Sequence, residues 1–263
     1  MVCVVRNSRL KLSQGQIFWR ETGQGEAIVF IHGECSASSQ WSAYFEELGR
    51  KHQCLAPDLL GFGDSERSKG TYSIQWESEV LEELFTNLRL KQFYLVGDGL
   101  GAWIAARYAI NHPEQIKGLI LRSPIGVDAD KNPSYFWAKC LVFPLPIIPW
   151  LLKLISPLGL IFGFKRKIKN AFEHRQRLRR SPGTSKLLFR GGGKLKAEYV
   201  NYQLPQVTAP TLILASESEN AVSLSQAQTY ARLIKHSDYE TFSEEEEAIA
   251  TIKTWVEELK LSH

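Results

Sequence analysis

Cysteine is scarce and scattered in this chain. Cys3, Cys35, Cys54 and Cys140 form no CxxC pair and have no histidine at metal-ligand spacing, so neither a zinc site nor a disulfide framework is expected. That usage fits a reducing, intracellular setting. Long apolar runs are missing too. The opening MVCVVRNSRLKLSQG is too short in its apolar stretch for a signal-peptide core, and no segment is uninterrupted enough to span a bilayer. A cytoplasmic protein is expected, with peripheral attachment to a membrane as a further option. Charge of one sign is also lacking. With 32 basic against 28 acidic residues the net charge is +4, which argues against a dedicated nucleic-acid binder. No internal repeat is visible.

What is present suits one large α/β domain. In 263 residues, 44% are hydrophobic, enough to bury a real core. Residues 16–20 and 27–31 are β-branched or aromatic runs separated by Thr22-Gly23-Gln24-Gly25, the pattern of an opening hairpin that feeds a buried strand. Residues 53–56, 93–96, 116–122, 211–215 and 238–242 are further strands. Residues 41–48, 74–88, 102–110 and 249–259 carry helical patterns. Strands apolar on both faces and alternating with helices call for a mainly parallel sheet with helices on both faces.

One segment differs in composition. Residues 126–206 are apolar and proline-broken at first, FWAKCLVFPLPIIPWLLKLISPLGLIFGF, and then basic, KRKIKNAFEHRQRLRR followed by RGGGKLK. We read them as a cap inserted into a core made of residues 1–125 and 207–263. Pro144, Pro146, Pro149 and Pro157 interrupt the apolar half too often for a spanning helix. His32, Trp41, Trp137, Phe143 and Trp150 are candidates for the pocket or cap surface. Lys165, Arg166, Lys167, Lys169, Arg175, Arg177, Arg179 and Arg180 form a candidate basic patch.

Four motifs in order carry a resemblance: His32-Gly33 with Trp41, PDLLGFGDSERS at residues 57–68, LVGDGLGA at 95–102, and PTLILASESE at 210–219. From about residue 16 to residue 259 the chain resembles the α/β-hydrolase superfamily, and the resemblance implies that fold. In that family a small-x-nucleophile-x-small sequence makes a tight strand-to-helix turn. The corresponding run here is Gly97-Asp98-Gly99-Leu100-Gly101, so the nucleophile position holds Gly99. Glycine has no atom with which to attack a carbonyl, though it suits the strained backbone of that turn. The chain therefore resembles a catalytically degenerate member.

The resemblance also locates the other roles. The family's acid matches Glu219, for which an exposed loop glutamate is the ordinary alternative. Its base histidine falls between the last strand and the last helix, where this chain reads SEEEEA; without an imidazole the usual proton shuttle is missing. Registering the turn on Asp98 instead would place Val96 and Leu100 at positions that need small residues, so Asp98 reads as a surface or helix-capping carboxylate. The oxyanion donors, being backbone amides, would be those of Glu34 and Leu100. Nothing indicates a metal or a cofactor.

Two functions follow as expectations. One is a non-catalytic α/β-hydrolase-like protein that binds an apolar small molecule, an anionic membrane surface or a protein partner through its cap. The other is a hydrolase of a lipophilic ester with a displaced catalytic constellation. Nucleic acid is not an expected partner.

Overall fold

The computed structural model describes residues 4–130, Tyr135, Lys139 and residues 165–261. Trp137, Phe143, Trp150 and most of the apolar half of the 126–206 segment lie outside the described residues. Eight strands, β1 (Arg6–Lys11), β2 (Gln16–Thr22), β3 (Ala27–Ile31), β4 (Gln53–Pro57), β5 (Phe93–Asp98), β6 (Ile116–Arg122), β7 (Thr211–Ser216) and β8 (Ser237–Phe242), form one sheet in the order β1-β2-β4-β3-β5-β6-β7-β8. The pairs β1–β2 and β2–β4 are antiparallel, and every other pair is parallel.

The expected hairpin of residues 16–20 with 27–31 does not form. β4 lies between β2 and β3, with Thr22 opposite Cys54. The reason is visible in β3, whose five residues are all buried. Such a strand needs a neighbour on both edges and a covering on both faces, and β4 and β5 supply the edges. The hairpin that does form is β1–β2. β1 had no sequence signal because RNSRLK, on the outer edge, is largely exposed and polar.

The central strands alternate between two cores, as the two-residue period of a strand requires. Val29, Ile31, Leu95, Leu119, Leu121 and Ile213 face α2 (Ile74–Asn87), α3 (Leu100–Asn111) and α7 (Ala221–Leu233). Ile28, Phe30, Val96, Ile120 and Leu214 face α1 (Ser42–Leu48) and α8 (Glu245–Leu261). α8 begins four residues earlier than its apolar periodicity indicates. Glu245, Glu246 and Glu247 occupy its first turn, where carboxylates favour the positive end of the helix dipole. The Glu247 carboxylate also accepts from both the N–H and the hydroxyl of Ser243. The run SEEEEA is thus a helix start.

Between β6 and β7 the described chain forms α4 (Lys165–Arg180), α5 (Pro182–Leu188) and α6 (Gly192–Lys196). This stretch is tied to the core. Gly183 N–H donates to the Gly61 carbonyl at 3.1 Å, and Lys186 Nζ donates to the Ser68 carbonyl while lying 4.3 Å from the centre of the Tyr72 ring. Glu198 accepts from the Ile74 N–H at 2.5 Å and pairs with Arg190.

One core residue opposes the fold. Glu77, in the first turn of α2, is wholly buried. Neither carboxyl oxygen makes a hydrogen bond of normal geometry among the described residues. The nearby Leu60 backbone does not offset desolvation, which raises its pKa well above 4.5. The folded chain therefore keeps a proton that the unfolded chain releases above about pH 4.5, and stability must fall as pH rises from there. We predict that Glu77→Gln melts several degrees above the parent at pH 8, and that the gain fades as pH approaches 4.5. An equal difference at both pH values would show that Glu77 is not buried as a neutral acid.

Candidate functional site at the turn after β5

β5 ends on Asp98, α3 starts on Leu100, and Gly99 forms the corner with φ +51° and ψ −110°. L residues with a side chain rarely adopt that conformation. The turn is also tightly packed. A Cβ on Gly97 would lie 2.5 Å from the Gly101 carbonyl oxygen, and one on Gly101 would collide with the carbonyls of Ile31 and His32. The small residues at 97 and 101 are therefore required by the crossing of β5 and α3 against β3, whatever stands between them.

The space beside Gly99 is filled by Glu34. A Cβ on Gly99 would lie 2.5 Å from Glu34 Oε2. The same oxygen accepts from the Leu100 N–H at 3.1 Å, and the carboxyl also interacts with Glu34's own N–H. Of the two amides expected as oxyanion donors, Leu100's thus already donates to a carboxyl group of the protein, and Glu34's own lies within its influence. Glu34 caps α3 from outside the helix, a role normally played by the N-cap side chain that Gly99 lacks. By surface area Glu34 is exposed, yet it lies deep among protein atoms. Desolvation is the main cause that raises its pKa, and the charges of Asp98 and Glu219 add to it.

Behind Gly99 is an ion network that sequence reasoning did not find. Arg122, at the end of β6, is 8% exposed. It donates to both oxygens of Glu245 at 2.9 and 3.0 Å and to the Tyr44 hydroxyl, and its Nε lies 3.8 Å from Asp98 Oδ1. The rings of Trp41, Tyr44 and Phe242 lie 5.2 to 5.5 Å from its guanidinium carbon. Burial alone would lower the Arg122 pKa, but Asp98, Tyr44 and Glu245 together hold it above its ordinary value. Asp98 accepts a further bond from Gln40 Nε2 at 3.1 Å, so its carboxylate is held between Gln40 and Arg122.

The Ser123 hydroxyl donates to Glu219 Oε1. Ser123 has φ +45°, and Gly99 N–H donates to the carbonyl of the preceding Arg122 at 2.9 Å, so the hydroxyl is carried next to the turn. Glu219 is half-buried, its Oε2 makes no hydrogen bond of normal geometry among the described residues, and desolvation raises its pKa against the lowering effect of the Ser123 and Ser223 side chains. His32 is fully buried. Its Nε2 accepts from the Leu59 N–H at 3.0 Å, and its Nδ1 lies 2.9 Å from the Gly33 carbonyl, so the proton is on Nδ1. Burial lowers its pKa, which makes His32 a neutral clamp between two loops. Trp41 is also fully buried, with Phe30 tilted against it and Tyr44 edge-on to it. Its place is in the core rather than on a pocket wall.

The sequence pattern of the alpha/beta hydrolase fold family matches residues 26–157. The chain belongs to the α/β-hydrolase fold family. It is 29% identical over 194 residues to the 1-acylglycerol-3-phosphate O-acyltransferase ABHD5 of Rattus norvegicus, covering 65% of this chain and 55% of that protein. It is 32% identical over 131 residues to an uncharacterised protein of Mycobacterium tuberculosis, covering 50% of this chain and 36% of the other. The chain thus spans between a third and just over a half of the length of these relatives. A putative lipase from Acinetobacter baumannii has the same fold, with TM-score 0.78 and 19% identity over 98% of this chain and 93% of that one.

Within the α/β-hydrolase fold, ligands meet the carboxyl ends of the parallel strands, which is where Gly99, Ser123 and Glu219 lie. A cleft of about 670 Å³ lined by Glu26, Tyr94, Lys117 and Lys260 lies at the opposite, amino-terminal ends. Both of its lysines are already paired with Glu26, and we place no site there. The connection where the family carries its base histidine delivers Glu245 to Arg122. Among the described residues no group of three or more His, Cys, Asp or Glu side chains is arranged to hold a metal ion. We predict that Gly99→Ser destabilises the fold by about 1–3 kcal/mol through backbone strain and contact with Glu34. The loss should be smaller in a Glu34→Ala background when both are measured by denaturant unfolding. Equal losses would mean that Glu34 does not occupy this space.

Proposed function

We propose that this chain does not perform the nucleophile-dependent chemistry of its family and instead binds a lipid or related apolar molecule above the turn, beneath residues 126–206 acting as a cap. The observation that carries this reading is Glu34. Its carboxyl lies on the Leu100 amide and at the edge of the space a side chain on residue 99 would enter. Acyl transfer needs a nucleophile at that corner and free donors for the developing oxyanion; here the first is a hydrogen atom and the second are spoken for. The Arg122–Glu245 pair at the base position supports the same reading, since a guanidinium holds its proton at neutral pH.

A lipid ligand is supported by the acylglycerol skeleton within the 1-acylglycerol-3-phosphate that the rat relative's name gives, which supports the lipid class and not a particular head. It is also supported by the charge distribution. α4 holds eight basic residues and one acidic residue, which leaves 24 basic against 27 acidic residues for the rest of the chain. Lys169, Arg177, Arg179 and Arg180 are exposed and Leu178 is buried, so the helix is anchored by an apolar contact and presents cations outward. Lys165, Arg166 and Lys167 are on the same helix, although their side chains lie outside the described residues. Such a surface suits anionic headgroups. No helix among the described residues is long and apolar enough to cross a membrane, so contact through α4 would be peripheral. An acidic protein partner is the other occupant α4 would accept.

A second reading has its own observation. Ser123, in left-handed backbone and bonded to Glu219 beside the turn, is a hydroxyl–carboxyl pair. It could attack an ester carbonyl, with Glu219 taking the hydroxyl proton and returning it to the alcohol that leaves as the ester C–O bond breaks and the acyl group passes to Ser123. Labelling with a fluorophosphonate, together with turnover of short and long acyl esters, decides between the two. We expect no labelling and no turnover above a heat-treated control; labelling that disappears in Ser123→Ala would establish the second reading instead. For the membrane surface, vesicles with anionic lipid should co-sediment the wild-type protein. Replacing Lys169, Arg175, Arg177, Arg179 and Arg180 with glutamate should release it, and absence of wild-type binding would end that part of the proposal.

A further inference from the structure

We propose that Glu34 sets the ligand class of this site: the polar end of the bound lipid is an uncharged hydrogen-bond donor, such as the hydroxyls of a neutral acylglycerol, and not the anionic head of a fatty acid or a phosphate-bearing lipid. The inference rests on the lipid-binding reading above and specifies the chemistry of the same site.

In an α/β-hydrolase turn the two converging amides are the groups that would welcome an anion. Here the Leu100 amide donates to the Glu34 carboxyl at 3.1 Å, and that carboxyl also interacts with Glu34's own N–H. The nearby cation, Arg122, is directed to Glu245, Tyr44 and Asp98 and is buried among three rings. Arg122 Nε makes no hydrogen bond but is buried 3.8 Å from Asp98, and the Tyr135 phenol is a neutral donor, so the spare capacity at the turn lies mainly in the acceptors of Glu34 and Glu219. A carboxylate has room for more donors than the one or two each of these groups receives. Glu219 Oε2 makes no hydrogen bond of normal geometry among the described residues, and although the Ser123 and Ser223 side chains both interact with this carboxyl, a ligand hydroxyl would add a donor to a group that can accept more. The nearby titratable groups are Asp98, Glu219, Tyr135 and Arg122. The charges of Asp98 and Glu219 already act unfavourably on Glu34, and burial leaves Tyr135 a neutral phenol. An anionic headgroup would add a further negative charge to that set.

The test compares lipids that differ in the head alone. Isothermal titration calorimetry at pH 7.5 would use 1-monooleoylglycerol, 1-oleoylglycerol-3-phosphate and oleate, each below its aggregation concentration, with the full chain. We expect monooleoylglycerol to bind at least tenfold more tightly than either anionic lipid. Glu34→Gln, which keeps the shape and removes the charge, should narrow that ratio. Glu34→Ala, which also frees the amides, should bring the anionic lipids level with or ahead of the neutral one. If Glu34→Ala does not fold, the wild-type ratio and Glu34→Gln still decide the matter. Equal or tighter binding of the phosphate lipid by the wild type overturns this inference and leaves lipid binding standing, whereas no binding of any of the three overturns both.

Discussion

The turn between β5 and α3 has no room for side chains at its flanks, and much of the site follows from that constraint. Gly97 and Gly101 lie where β5, α3 and β3 cross, and a methyl group on either would meet backbone atoms, which cannot move without separating the sheet from its helix. The constraint is geometric and independent of any reaction. A chain can exchange the residue between those glycines and keep the fold, but it keeps the convergent amides of residues 34 and 100 as well. Donors gathered in a concave turn require an acceptor. Where no ligand or nucleophile supplies one, the protein must, and the Glu34 carboxyl does so at the positive end of α3.

The electrostatics behind the turn obey the same accounting. A buried guanidinium is costly unless it is paired and hydrogen-bonded. Arg122 has two carboxylates, a phenol and three aromatic faces within reach. The pairing joins the ends of β5 and β6 to the first turn of α8 and to α1. The resulting network is structural in character, since each member is held by at least one other. Glu34 and Glu219 differ from it, since their carboxyls lie forward of the turn and desolvation raises the pKa of each, with the Arg122 charge opposing this at Glu219.

The fold was legible in the sequence because its signals are local. Five-residue apolar runs, helix-period patterns and the glycine spacing of residues 97–101 each specify their own element. The places where the reading went astray depend on partners distant in sequence. β2 pairs with β4 across the β3 connection, and nothing in residues 16–31 encodes that. The run SEEEEA read as the connection before the last helix, yet it opens that helix, and the part-exposed Glu245 pairs with a single arginine 123 residues earlier. The role of Glu34 was half visible. Its amide was placed at the turn by the resemblance, but that its own carboxyl would fold back to occupy the donors is decided by side-chain geometry across 66 residues. A carboxylate directly after the His-Gly of such a turn, together with glycine at the nucleophile position, is the signal that would have shown it.

The two charged regions of the proposed lipid-binding site act in opposite senses, and together they define a passage. α4 presents cations at the rim and would concentrate the protein on an anionic surface, where long-range attraction sets encounter. The floor presents acceptors and negative charge, where close-range pairing and desolvation set residence. A headgroup that is attractive at the rim is therefore unwelcome at the floor. A lipid that enters must be one that the membrane surrenders without its anionic neighbours following, which is the property of an uncharged acylglycerol in an anionic bilayer. Selectivity by rejection of this kind needs no catalytic group; it needs the carboxyl at residue 34 to stay where a substrate's oxygen would otherwise lie.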